Sequence, residues 1–282
     1  MGRCCRRPVA VLSLEEVGGG QVGDPKGESQ GYFDKVKNLV EDTFRINENK
    51  KVVFVTHSYG GNMILLFLRA QTKQWKDKYV RSVISLSSPI GGSMTVFREY
   101  TKANWIRYAP SYMCSNLRKL AQSFPSMAYL VPSKEIWGNE VIVSTPLKNY
   151  TLRNLKELYE DMDDAEGWEM WKDQQPYVSK AMEPPGVEFH CLYGTNNNQT
   201  IAKLVYDHEH QFPNNPRFVM GPGDGSVNLR SLEHCKNWKN QQDQTVYVKH
   251  FPNMNHIGIV TDRRMVDYIT HVLQGYSKKT QL

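Results

Sequence analysis

The chain has 282 residues, of which 40% are hydrophobic and 23% are charged, and its formal net charge is +6 at pH 7. That is enough apolar sequence for one sizeable core with an inserted lobe. The basic residues are dispersed and do not form the concentrated face that nucleic-acid binding requires, so we expect no nucleic-acid partner and at most a weak attraction to anionic lipid surfaces.

The first predicted element is a helix over residues 31–46, where apolar side chains recur at helical spacing. Residues 1–29 before it match no recognisable pattern and are expected to be disordered. Their apolar stretch, Val9–Leu14, is shorter than the apolar region of a signal peptide, so no targeting signal is visible. A strand over 51–57 and a helix over 60–74 follow. The longest apolar run, Met63–Leu68, lies in this helix and is too short to span a bilayer.

The junction of that strand and helix has the sequence T-H-S-Y-G around Ser58. A serine on a sharp turn from a buried strand into a helix is how α/β-hydrolases present their nucleophile. Thr56 replaces the first glycine of the usual G-x-S-x-G pattern, but it is small enough for the turn to close. The Tyr59 N–H, at the positive end of the helix, is the natural first oxyanion donor. The alternative is a strand–helix turn of another α/β protein, with Ser58 as an ordinary helix cap.

Further strands are expected over 80–87, 187–193 and 244–250, and further helices over 228–238 and 257–274. Strands that alternate with helices predict an α/β fold with a parallel sheet and helices on both faces, here a partial α/β-hydrolase. Residues 30–88 and 186–276 are assigned to the core and 277–282 to a tail. Residues 89–185 are interpreted as an irregular inserted cap. Its aromatic residues either line an acyl track or fill the cap's own core, and we favour the second reading for most of them. They are Trp105, Tyr108, Tyr112, Phe124, Tyr129, Trp137, Trp168 and Trp171.

Partners for Ser58 are sought downstream, because α/β-hydrolases carry nucleophile, acid and histidine in that order. Asp224 lies in a glycine-rich loop and His256 lies between a predicted strand and a predicted helix. Ser58 would attack the substrate, Asp224 would orient the imidazole and His256 would transfer the proton. The alternatives are a turn-forming Asp224 and a structural His256. His57 is expected to point away from the nucleophile, so it is not assigned as the base.

Six segments together resemble the lecithin:cholesterol acyltransferase family, in the correct order over residues 31 to 275. They are VVFVTHSYGGN, QWKDKYVRSVISLSSPIGG, NYTLRNLKELYEDM, GVEFHCLYGT, GDGSVN and NHIGIV. The resemblance implies that Ser58, Asp224 and His256 form a catalytic triad and that the Tyr59 amide is an oxyanion donor. It also implies transfer of a phospholipid acyl group to water or a lipid alcohol at a membrane or lipoprotein surface, without a cofactor or metal.

The same resemblance implies a disulfide between Cys191 and Cys235, whereas two buried free thiols are the reading for a cytosolic protein. Cys4, Cys5 and Cys114 have no evident partners. Asn149 and Asn198 begin glycosylation sequons, which matter only in the secretory route. Together these features predict a lysosomal or extracellular protein.

Relative to the family, the first strands, the second oxyanion loop, the lid and the small lipid-binding lobe have no recognisable counterpart. We therefore expect an N-terminally truncated chain of marginal stability and low activity, because one oxyanion donor is worth about 10²–10³ in rate. The leading hypothesis is a serine-dependent phospholipid acyl hydrolase and transacylase. The alternatives are an inactive remnant that binds lipid or a partner, and a soluble carboxylesterase.

Overall fold

The computed structural model of the chain describes residues 28–102, 118–196 and 198–279. Most of the N-terminal segment expected to be disordered, the end of the tail, Cys4, Cys5, Cys114, Trp105, Tyr108 and Tyr112 lie outside these ranges. The labelled helices are α1 Glu28–Ile46, α2 Tyr59–Arg69, α3 Lys73–Tyr79, α4 Thr95–Lys102, α5 Pro125–Tyr129, α6 Lys134–Trp137, α7 Leu155–Asp161, α8 Ala165–Met182, α9 Leu229–Leu232 and α10 Arg263–Lys279. The strands are β1 Val52–His57, β2 Val80–Leu86, β3 Val143–Ser144, β4 Asn149–Tyr150, β5 Glu188–Thr195, β6 Thr200–Val205, β7 Arg217–Gly221 and β8 Val246–Pro252.

The central sheet has the strand order β1-β2-β5-β8, and all its pairs are parallel. β1 is an edge strand of this sheet within the described residues. Parallel strands joined by helical crossovers bring their carboxyl ends to one edge of a sheet, where α/β proteins build their sites. The turn after β1 and the loop after β8 therefore open at the same edge.

Helices cover both faces of the central sheet, because its strands alternate side chains between two cores. On one face Val52 and Phe54 of β1 pack with residues of α1, α2 and α8. On the other face Val53 packs in a cluster that includes Met265 of α10. The α/β class predicted from the sequence is thus confirmed. No helix in the described part of the chain is long and apolar enough to cross a membrane.

A second, mixed sheet has the order β4-β3-β6-β7 and lies with the cap helices. Its first two strands come from the segment expected to be an irregular cap, and its last two come from residues 200–221, where no strand was predicted. The cap is therefore not irregular: it contains helices up to the 18-residue α8 and has its own hydrophobic cluster. Trp137, Tyr150 and Trp171 are buried members of that cluster, which favours the core-filling interpretation of the cap aromatics.

The predicted helix over 60–74 is wrong at its C-terminal end. α2 ends at Arg69, and Thr72 begins a new helix by accepting a hydrogen bond from the Trp75 N–H to its Oγ1 at 3.2 Å. A threonine with a free side chain acceptor favours such a cap over the interior of a helix. Near the C-terminus, a short 3-10 turn at Gly258–Val260 precedes α10, where one continuous helix was predicted.

Candidate active site

Ser58 occupies a strained turn between β1 and α2. Its backbone angles are φ 53° and ψ −133°, in a region that non-glycine residues rarely adopt. The serine side chain makes no capping hydrogen bond to α2, which removes the reading of Ser58 as an ordinary N-cap. Gly61 allows the helix to approach the segment that follows β2, since a Cβ there would lie 1.8 Å from Ser88 Oγ. The turn therefore holds the Ser58 hydroxyl free for another partner.

That partner is the imidazole of His256. Ser58 Oγ lies 2.8 Å from His256 Nε2, and His256 Nδ1 lies 2.8 Å from Asp224 Oδ2. An ionised carboxylate only accepts hydrogen bonds, so Nδ1 carries the proton and Nε2 is left to accept from the serine hydroxyl. Asp224 is fully buried and His256 is only 8% exposed. The structure thus brings together all three side chains that the sequence singled out, in the order hydroxyl, imidazole, carboxylate.

The Asp224 carboxylate is held by its own loop. Its Oδ1 accepts hydrogen bonds from the Ser226 N–H at 3.0 Å and the Val227 N–H at 2.8 Å. The loop is fixed in turn to the second sheet, because Gly225 N–H donates to Thr200 Oγ1 at 2.8 Å and Asn228 Nδ2 donates to a β6 carbonyl at 2.8 Å. The second oxygen, Oδ2, is left to the imidazole.

His57 makes a further contact within the site. The sequence analysis predicted that its side chain points away from Ser58, and this prediction is wrong. Its ring centroid lies 4.8 Å from that of His256, and its Nε2 lies 2.8 Å from the His256 carbonyl oxygen. Burial lowers the pKa of His57 below its usual value, which favours the neutral ring. The alternation of side chains along β1 could not predict this contact, because the contact depends on the position of the loop after β8, which contains His256.

Tyr59 contributes the first backbone N–H of α2. N–H groups in the first turn of a helix have no intrahelical partner and lie at the positive end of its dipole. The Tyr59 ring is anchored edge-on against Tyr129, with ring centroids 5.4 Å apart. The Tyr59 N–H therefore lies at the start of α2, directly after Ser58 in the chain.

A pocket of about 470 Å³ opens over Ser58 and His256. Apolar side chains of Val96, Met127 and Leu130 form part of its wall, beside polar residues from α4 and the acid loop. Such a mixed lining suits a ligand with both an apolar chain and a polar part.

Cys191 and Cys235 form a disulfide with an S–S distance of 2.09 Å, which confirms the pairing implied by the family resemblance. The bridge ties β5 to the segment after α9 and encloses the Asp224 loop. Asn149 and Asn198 are both exposed, and their glycosylation stays a prediction.

Comparison with known proteins identifies relatives of this chain. The sequence model of a family described as "Lecithin:cholesterol acyltransferase" matches residues 23–263. "Lysosomal phospholipase A and acyltransferase" of Homo sapiens is 34% identical over 250 residues, covering 88% of this chain and 59% of that protein. "Phosphatidylcholine-sterol acyltransferase" of Gallus gallus is 33% identical over 234 residues, covering 83% of this chain and 56% of that protein.

The chain thus spans less than three fifths of the length of these curated relatives. Among solved structures, a chain of "The crystal structure of Tle4-Tli4 complex" aligns with a TM-score of 0.59 at 14% identity, over 90% of this chain and 66% of that chain. At that identity the likeness concerns the fold alone. The fold is that of the α/β-hydrolases, in the partial form expected from the sequence.

Proposed function

We propose that this chain, which belongs to the lecithin:cholesterol acyltransferase family, hydrolyses phospholipid acyl esters and transfers the acyl group through an acyl-enzyme on Ser58. The observation that carries the proposal is the unbroken path from Ser58 Oγ to His256 Nε2 and from His256 Nδ1 to Asp224 Oδ2, with 2.8 Å at each step. Such a path is what a general base needs in order to activate a hydroxyl.

In the first half-reaction Ser58 Oγ attacks the ester carbonyl while His256 Nε2 takes the hydroxyl proton. The buried carboxylate of Asp224 stabilises the imidazolium, and the Tyr59 N–H donates to the developing oxyanion. His256 then gives the proton to the leaving alkoxide, which departs as a lysolipid. In the second half-reaction His256 Nε2 takes a proton from water or a lipid alcohol, which attacks the acyl-enzyme. His256 then returns this proton to Ser58 Oγ as the bond between Oγ and the acyl carbon breaks.

A lipid substrate is favoured over a small soluble ester by two observations. The relatives are named as a phospholipase and acyltransferase and as a phosphatidylcholine-sterol acyltransferase. The pocket over Ser58 and His256 also offers both apolar and polar walls. We assign the reaction to a peripheral membrane or lipoprotein surface, and the chain to the lysosome or the extracellular space. Within the family, the sequence resembles lysosomal phospholipase A2.

A fluorophosphonate probe tests the serine mechanism directly. The chain should be labelled, and Ser58→Ala should abolish labelling while leaving the far-ultraviolet circular dichroism spectrum unchanged. Ser87→Ala is a matched control, because Ser87 is a buried serine directly after β2 that the proposal does not use. Failure of the folded protein to react would favour an inactive remnant.

Substrate choice is tested with phosphatidylcholine liposomes and p-nitrophenyl butyrate, assayed with the same protein. We expect release of fatty acid from the liposomes, and formation of an acylated product when a lipid alcohol is added. Turnover of the small ester without turnover of liposomes would identify a soluble carboxylesterase and refute the lipid assignment.

A further inference from the structure

The pocket over the proposed nucleophile contains one fixed ion pair, which the proposed mechanism does not use. Arg98 and Glu99 of α4 both line this pocket, as do Ser58 and His256. Glu99 Oε1 accepts hydrogen bonds from Arg98 Nε at 2.6 Å and lies 2.5 Å from Arg98 Nη2. One carboxylate oxygen therefore holds one edge of the guanidinium plane, and the N–H bonds of Nη1 lie outside this contact.

The two charges of this pair differ in their access to solvent. The side chain of Glu99 is 9% exposed, whereas that of Arg98 is 43% exposed. A ligand that enters the pocket therefore meets the guanidinium before it meets the carboxylate. The pair keeps the guanidinium in a fixed orientation, so less conformational entropy is lost when a second anion binds it.

We propose that Arg98 binds the phosphodiester of a glycerophospholipid whose acyl ester is attacked by Ser58, and so selects phospholipids over neutral acylglycerols. This inference rests on the proposed function. A phospholipid carries its anionic phosphate on the same glycerol as the scissile ester, so both must be accommodated at one pocket mouth. Guanidinium matches phosphate oxygens through charge-assisted hydrogen bonds.

The rest of the pocket lining agrees with this assignment. Met127, Leu130 and Val96 offer apolar surface for an acyl chain, and the lining set contains no other arginine or lysine among the described residues. A neutral diacylglycerol would satisfy the apolar wall and the Ser58 site but would leave Arg98 unused. The expected discrimination is therefore between lipids that differ in the phosphate alone.

Binding is measured first, in a Ser58→Ala background that cannot turn the lipid over. The probes are monomeric dihexanoylphosphatidylcholine, dihexanoylglycerol and inorganic phosphate, titrated by calorimetry. The test variant is the double substitution Arg98→Gln and Glu99→Gln, which leaves no buried unpaired carboxylate and does not change the net charge. Arg98→Lys keeps the positive charge but loses the planar set of N–H donors of the guanidinium. Arg263→Gln is the control, because that arginine side chain is 93% exposed on α10.

We expect the double variant to weaken phosphatidylcholine binding by about 10- to 100-fold, the range for a charge-assisted hydrogen bond. Dihexanoylglycerol binding should change less than twofold, Arg98→Lys should be intermediate, and Arg263→Gln should match the parent. An unchanged phosphatidylcholine affinity, an equal loss for both lipids, or no measurable binding to the parent would overturn the proposal. So would inorganic phosphate that binds the parent as tightly as the lipid, since that result indicates a site for free phosphate.

Turnover by the chain with Ser58 intact separates this inference from the proposed function. If binding depends on Arg98 but neither lipid is hydrolysed, the proposed function fails and the phosphate site stands. If both lipids are hydrolysed and the double variant lowers kcat/KM equally for both, the proposed function stands and the selective role of Arg98 fails.

Discussion

Replacing Asp224 by asparagine tests the proposed triad with little disturbance of the fold. The aspartate accepts three hydrogen bonds, from the Ser226 N–H, from the Val227 N–H and from His256 Nδ1. Asparagine can keep the two backbone bonds through its carbonyl oxygen, but it must then present its NH₂ group to the imidazole. The ring would respond by carrying its proton on Nε2, so that it could no longer accept the proton of the Ser58 hydroxyl.

The rate should therefore fall far more than the stability. The wrong histidine tautomer costs about 10⁴ in kcat in the serine-protease triad, which is about 5 kcal/mol of transition-state stabilisation. The free energy of unfolding should fall by at most about 1.5–3 kcal/mol, the worth of one hydrogen bond to a charged group. Asp224→Ala is a poorer test, because it leaves the buried Val227 N–H and the partly buried Ser226 N–H without their acceptor, at a cost of up to about 1–3 kcal/mol each.

The assay combines steady-state kinetics on p-nitrophenyl butyrate with urea unfolding followed by circular dichroism. Asp224→Asn should unfold cooperatively with an unchanged m value and lose kcat with little change in KM. A folded Asp224→Asn protein that keeps kcat within about tenfold of the parent would show that this carboxylate does not orient the base. The proposed mechanism would then be refuted at that step.

Three other predictions concern the surroundings of this site. His57→Phe keeps a ring against His256 but loses the hydrogen bond to the His256 carbonyl. In the same ester assay kcat should therefore fall by up to about tenfold at constant KM. A change in KM alone would contradict a positioning role for His57. Double replacement of Cys191 and Cys235 by serine should lower the free energy of unfolding by about 4 kcal/mol, the chain-entropy value for a separation of 44 residues; unchanged urea curves would contradict it. Burial lowers the pKa values of His57 and His234, so the unfolded state binds more protons and stability should decline as pH falls below about 6.5. His234→Gln should reduce that decline in melting temperatures measured between pH 7 and pH 5, and an identical pH dependence in variant and parent would contradict this cause.

Local signals in the sequence were enough to predict the turn at Ser58 and the strands of the central sheet. The apolar run before Ser58 and the helical period after it are properties of neighbouring residues, and the structure places β1 and α2 there. The meeting of Asp224 and His256 with Ser58 depends on chain order and on family resemblance, because no local pattern encodes a contact across 198 residues.

The second sheet could not be predicted in the same way. Its cap strands, β3 and β4, are two residues each, and their pairing with β6 and β7 is set by distant parts of the chain. α8 was missed because Pro176 lies inside it, and proline in a helical pattern usually signals an end. The direction of His57 was wrong because it depends on the path of the loop after β8.

Asp224, the acid of the proposed triad, does not follow a strand of the central sheet. It follows β7, the last strand of the second sheet. Hydroxyls of Ser93 and Thr95 at the start of α4 also donate to the Ser226 carbonyl in the acid loop, at 2.5 and 2.6 Å. Replacing the cap alone with that of a relative would therefore remove contacts that hold the loop of the Asp224 carboxylate. A functional chimera needs its crossover points before Ser93 and after Asn228, so that the cap, strand β5 and the acid loop all come from one parent.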